Sequence, residues 1–124
     1  MQLVPHLLLR ADAHTGSTTA IQLRDAGYLV TKLGDDQQLI AMAAATPIDG
    51  IVIDADVPAI SAISFVRRLR ETLPAPPPVL VITRSPDVVR RAAGVSVLHP
   101  REASTELVTS IDLMVATHEL AAMM

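Results

Sequence analysis

Apolar residues in this chain alternate between short continuous runs and longer stretches in which they recur every three to four positions. The first kind predicts buried strands and the second predicts helices. Leu7-Leu8-Leu9 predicts a strand over residues 6–11, followed by a loop over 12–15. A weak stripe of Thr19, Ala20, Leu23 and Ala26 predicts a helix over 16–26, closed by Gly27 where the chain needs φ > 0. Residues 28–33 alternate as a second strand. Gly34-Asp35-Asp36 opens a second helix, with acids in the first turn where the helix dipole favours them. That helix runs to about Ala45 and stops before Pro47.

Asp49-Gly50-Ile51-Val52-Ile53-Asp54-Ala55-Asp56-Val57-Pro58 is the stretch around which the rest is arranged. Its apolar run is unbroken, as in strands covered on both faces by helices. Residues 60–73 then give the strongest helical pattern. Ile63, Val66 (or Phe65), Leu69 and Leu73 lie on one face, with Arg67, Arg68, Arg70 and Glu71 opposite. After the connector 74–78 comes a fourth strand over 79–83. Ser85-Pro86-Asp87 starts a short helix that Gly94 ends. A fifth strand over 95–98 breaks at His99-Pro100. A last helix over 103–121 carries Leu107, Ile111, Met114, Val115 and His118 along one stripe.

Strands alternating with helices predict a parallel sheet with right-handed crossovers. Five such β-α units are expected, with helices covering both faces of the sheet. Residues 1–124 are expected to form one domain.

Composition narrows the function classes. The chain is 50% hydrophobic but only 2% aromatic, so the core must be aliphatic. No apolar run approaches the ~18 residues of a membrane span. No secretion signal is legible, and a cytoplasmic location is the expectation. With no Cys, disulfides and thiolate metal sites are excluded. A net charge of -3 argues against nucleic-acid binding. His6, His14 and His118 lack metal-ligand spacing.

In a parallel sheet the carboxyl ends of the strands form the ligand-binding edge. Here that edge would gather Arg10-Ala11-Asp12, Asp54, Thr83-Arg84 and His99-Pro100. An acid, a hydroxyl and a cation suit the handling of a phosphoryl group, with a carboxylate as nucleophile.

These residues resemble the receiver domains of the response-regulator family over nearly the whole chain, which implies a flavodoxin-like (βα)5 three-layer sandwich with strands in the order 2-1-3-4-5. Asp54-Ala55-Asp56-Val57-Pro58 is similar to the family's phosphoacceptor segment, and Asp54 matches the phosphorylated aspartate. Thr83 matches the switch hydroxyl. Ala26-Gly27-Tyr28 resembles the opening of the second strand. Leu98-His99-Pro100 falls at the family's Lys-Pro, which implies a cis His99–Pro100 bond and a phosphate-contacting role for His99.

The departures are equally specific. The family's two metal-holding acids align with Arg10 and Ala11, leaving Asp12, Asp54 and Asp56 as a depleted Mg²⁺ set. The Lys position holds His99, the switch aromatic aligns with Ser96, and the stretch between Thr83 and His99 is short. The expectation is therefore a pseudo-receiver that is not an enzyme. No cofactor is required of it, and Mg²⁺ would bind weakly. Arg10 would modify the site by placing a fixed charge beside Asp54. A histidine kinase or another signalling protein is the implied partner, with a homodimer through the fourth helix, fifth strand and fifth helix as a further arrangement. A conventional phosphorylatable receiver is the alternative. A small flavodoxin-like enzyme or nucleotide binder ranks last, because no Gly-rich phosphate loop follows the first strand.

Overall fold

The computed structural model describes residues 4–12 and 17–123. His14 and the start of the first predicted helix at residue 16 lie outside the described residues. The elements are β1 (His6–Arg10), α1 (Ser17–Asp25), β2 (Leu29–Leu33), α2 (Asp36–Ala45), β3 (Gly50–Ile53), α3 (Ala59–Thr72), β4 (Val79–Ile82), α4 (Pro86–Ala93), β5 (Ser96–Leu98) and α5 (Pro100–Met123). The strands form one sheet in the order β2-β1-β3-β4-β5, all neighbours parallel. The parallel sheet is the one expected from the alternation of runs and stripes, and its strand order is the flavodoxin-like one that the resemblance implied.

Successive side chains of a strand point to opposite faces, and the core divides accordingly. Leu8, Ile51, Ile53, Val79 and Val81 pack with α2, α3 and α4 through Leu39, Ile40, Phe65, Leu69 and Val89. Leu7, Leu9, Val52, Leu80, Ile82 and Leu98 pack with α1 and α5 through Ala20, Leu23, Leu107, Ile111 and Val115. Both faces of the central strands are buried, which is why their sequences read as unbroken apolar runs.

Helix boundaries follow local chemistry. Asp35 caps α2, its carboxylate accepting from the Gln37 and Gln38 N–H groups. Gly94 closes α4 in the left-handed region at φ 62°, and Gly27 follows α1 at φ 99°. Gly50 sits in a tight place of another kind. A Cβ there would lie 2.9 Å from Met114 Cε and 3.1 Å from Leu7 Cδ2, so a side chain would have to displace the tips of both. In α3 the buried residues are Ala62, Phe65, Val66 and Leu69, with Ile63 only partly buried. Val66, Leu69 and Leu73 are buried as expected, and Ala62 takes the inward place expected for Ile63.

Two expectations at the last helix need correction. α5 starts at Pro100 rather than 103 and runs to Met123. No cis peptide bond occurs among the described residues, so His99–Pro100 is trans. The physical reason is a capping box. His99 N–H donates to Glu102 Oε1 at 2.8 Å, and Arg101 N–H donates to His99 Nδ1 at 3.1 Å. Pro100 then takes the first helical position, where its fixed φ is pre-organised and its missing N–H costs nothing.

Tyr28, the only tyrosine, links β2 to α5 by donating its hydroxyl to Asp112 Oδ1. Burial pushes its phenol up from 10.0, and the Asp112 hydrogen bond and charge push it further in the same direction. Ionisation is disfavoured in the folded state. This contribution to stability is therefore fully present below the ordinary value of 10.0 and is lost as pH rises through the elevated one. Phenolate absorbance should show the single tyrosine titrating above its ordinary range, and Asp112→Asn should move the midpoint down. A midpoint unchanged by that substitution would remove Asp112 from the account.

Candidate functional site

The carboxyl ends of β1, β3, β4 and β5 meet at one edge of the sheet. The ladder continues one residue past three of these strands. Asp54 N–H donates to Arg10 O at 3.0 Å, Ala11 N–H to Leu33 O at 3.2 Å, and Thr83 N–H to Leu98 O at 2.9 Å. Asp54 and Thr83 are the two buried polar residues among those described, at 9% and 3% exposure. A polar group is rarely buried without a bonding role. Asp54 Oδ1 accepts from Ala55 N–H at 2.7 Å, and Thr83 Oγ1 accepts from Ser85 N–H at 3.1 Å. The Thr83 hydroxyl still has its proton to donate.

The alternation of the sheet sorts these side chains. Arg10 has the parity of Leu8 and belongs to the α2–α3 face. Asp54 has the parity of Val52 and belongs to the α1–α5 face. Arg10 consequently pairs with Asp36 of α2, Nε to Oδ1 at 2.6 Å, and not with Asp54. Arg68 of α3 approaches the other oxygen of Asp36 at 3.5 Å. The charge expected beside Asp54 is thus held on the opposite side of the sheet. Sequence reasoning took Asp36 only as a first-turn acid and placed Arg68 on a solvated face, so it missed this link. The parity of Arg10 with Leu8 was the signal that could have found it.

The acids divide in the same way. Asp12 and Asp56 line a cleft of about 260 Å³ together with Arg10, Gly34, Val57, Pro58 and Ser61. Asp56 Oδ2 accepts from Asp12 N–H at 2.8 Å, which ties the loop after β1 to the loop after β3. Asp54 lines a separate cavity of about 160 Å³ with Thr18, Thr19, Gln22, Ala55, Ile82, Pro100, Ala103 and Ser104. Thr83 and His99 do not line that cavity. Neither Thr18, Thr19, Gln22 nor Ser104 was singled out by sequence reasoning, because their place beside Asp54 depends on how α1 and α5 pack.

These residues do not fit a magnesium site. Mg²⁺ needs a near-octahedral oxygen shell anchored by carboxylates. Among the described residues no three His, Asp or Glu side chains converge on one point, and the cleft holding Asp12 and Asp56 has a guanidinium in its wall.

No protein-family model matches the sequence, and no curated protein does. Solved structures do match. A protein from a family of redox sensors in the streptococci, evolved from two-component response regulators, superposes with a TM-score of 0.74 at 21% identity, covering 96% of this chain. This chain spans 54% of that protein's length. A response regulator of Chloroflexus aurantiacus gives a TM-score of 0.76 at 21% identity, covering 92% of this chain and 99% of that one. The receiver domain of a sensor histidine kinase from Pseudomonas aeruginosa, solved with magnesium coordinated in its active-site cleft, gives 0.67 at 23% identity, covering 92% and 99%. The fold is that of response-regulator receiver domains. No helix among the described residues is long and apolar enough to cross a membrane.

Proposed function

We propose that residues 1–124 act as one receiver-like domain of a two-component signalling system, working as a regulatory protein-interaction module without Mg²⁺-dependent phosphorylation of Asp54. The observation that carries this reading is the division of the acids. Asp54 lines the cavity walled by α1 and α5, Asp12 and Asp56 line the other cleft beside Gly34 and Ser61, and Arg10 shares that second cleft. Transfer of a phosphoryl group to a carboxylate concentrates negative charge, which a divalent ion normally offsets. No cation is paired with Asp54 among the described residues, so that offset is missing. His99, at the position where the family has its lysine, is engaged in starting α5.

The partner in this reading is a histidine kinase or another signalling protein. Docking on the α4–β5–α5 face, by such a partner or a second copy, is supported by exposed Val88 and Leu113. The streptococcal relative of this fold offers an analogy for an input other than phosphate, although this cysteine-free chain has no thiol to sense with.

A conventional receiver is favoured by one observation, the burial of Asp54 and Thr83 as the polar pair at the sheet edge. In that case Asp54 would be the acceptor and Thr83 the contact to a phosphoryl oxygen. Incubation with acetyl phosphate and MgCl2, followed by intact-mass measurement, separates the two. No phosphate adduct is expected, and Asp54→Asn should bind the partner as the parent does. An adduct that requires both Asp54 and Mg²⁺ would defeat the proposal in favour of the conventional receiver.

A further inference from the structure

The cavity beside Asp54 has a chemical character that the signalling role does not explain. Asp54 is nine-tenths buried and uses Oδ1 on the Ala55 N–H. Oδ2 has no protein donor among the described residues. Among the described residues no fully buried side-chain oxygen or nitrogen lacks a partner, so Oδ2 must reach solvent. The other polar groups of the lining are also left with accepting capacity. Gln22 Nε2 donates to Ala103 O at 3.2 Å and Ser104 O at 3.3 Å, which leaves its Oε1 free to accept. Ser104 Oγ donates to Arg101 O at 3.1 Å, which leaves its lone pairs. Thr18 and Thr19 add hydroxyls. Ala55, Ile82, Pro100 and Ala103 supply apolar wall.

We propose that this cavity binds a primary alkylammonium group, as a free small amine or as the lysine side chain of a partner. An ammonium has three donors and no acceptor, and it matches a site built of acceptors around a carboxylate. The apolar walls accommodate the alkyl stem. At about 160 Å³ the cavity is smaller than the ~300 Å³ at which drug-sized pockets begin, so it suits a small head group rather than a whole nucleotide or flavin. An anion would meet the Asp54 carboxylate with no cation to offset it. The Asp54 carboxylate has no paired positive charge among the described residues, and an entering cation supplies one. Nothing here depends on whether Asp54 accepts phosphate.

Thermal unfolding provides the test, because a ligand that binds only the folded state raises Tm by mass action. n-Butylammonium chloride should raise Tm saturably, while tetramethylammonium chloride at equal ionic strength should not. Nα-acetyl-lysine methylamide should act likewise, and a tighter response to it than to butylammonium would assign the site to a partner's lysine. Asp54→Asn should abolish the response. So should Ala103→Leu, which fills the cavity and leaves the carboxylate in place. The proposal is overturned if neither amine shifts Tm, if tetramethylammonium shifts it equally, or if both variants respond as the parent does. The acetyl phosphate experiment reads a different property, so either proposal can fail alone.

Discussion

Phe65→Ala is expected to destabilise the protein by about 3–5 kcal/mol, the range for truncating a buried aromatic. Phe65 is the only phenylalanine and is 1% exposed in the core under α3. Its neighbours are aliphatic residues from three helices and the central strands. Close-packed surroundings cannot collapse into a space of that size without strain elsewhere. The same truncation at Ile60, 78% exposed on the same helix, should stay within about 0.5 kcal/mol. Urea unfolding of the two variants checks the orientation of α3. If Phe65→Ala lost less than Ile60→Ala, the helix would have to face the other way.

Asp36→Ala should cost about 1–3 kcal/mol, because it leaves the half-buried Arg10 guanidinium without its charge-assisted bond. Arg68→Ala should cost less than about 1 kcal/mol, since that side chain is 44% exposed and its contact is longer. A double-mutant cycle for Arg10 and Asp36, read from urea midpoints, should show coupling that persists in moderate salt. Coupling that vanished there would mean that solvent, not burial, governs the pair. The outcome bears on function, because this link holds Arg10 on the α2–α3 side of the sheet and away from Asp54.

The architecture was legible because each element announces itself locally. Unbroken aliphatic runs mark strands covered on both faces, Gly27 and Gly94 end helices in the left-handed region, and Asp35 caps α2. The start of α5 was legible too but was misread. Pro100 with Glu102 forms a helix opening, and the resemblance to a Lys-Pro segment directed attention elsewhere. In α3 the periodicity left Val66 and Phe65 as alternatives, and packing took both.

By itself the chain determined the order of its elements, the aliphatic core and the presence of Asp54 and Thr83 at strand ends. Those properties depend on residues near one another in sequence. Tertiary structure decided which acids share a cavity and which cation meets which carboxylate. Register and the two-residue period of the strands send Arg10 and Asp54 to opposite faces, and only the packing of α1 and α5 brings Thr18, Gln22 and Ser104 around one carboxylate. Such relations join positions dozens of residues apart, and no local pattern encodes them.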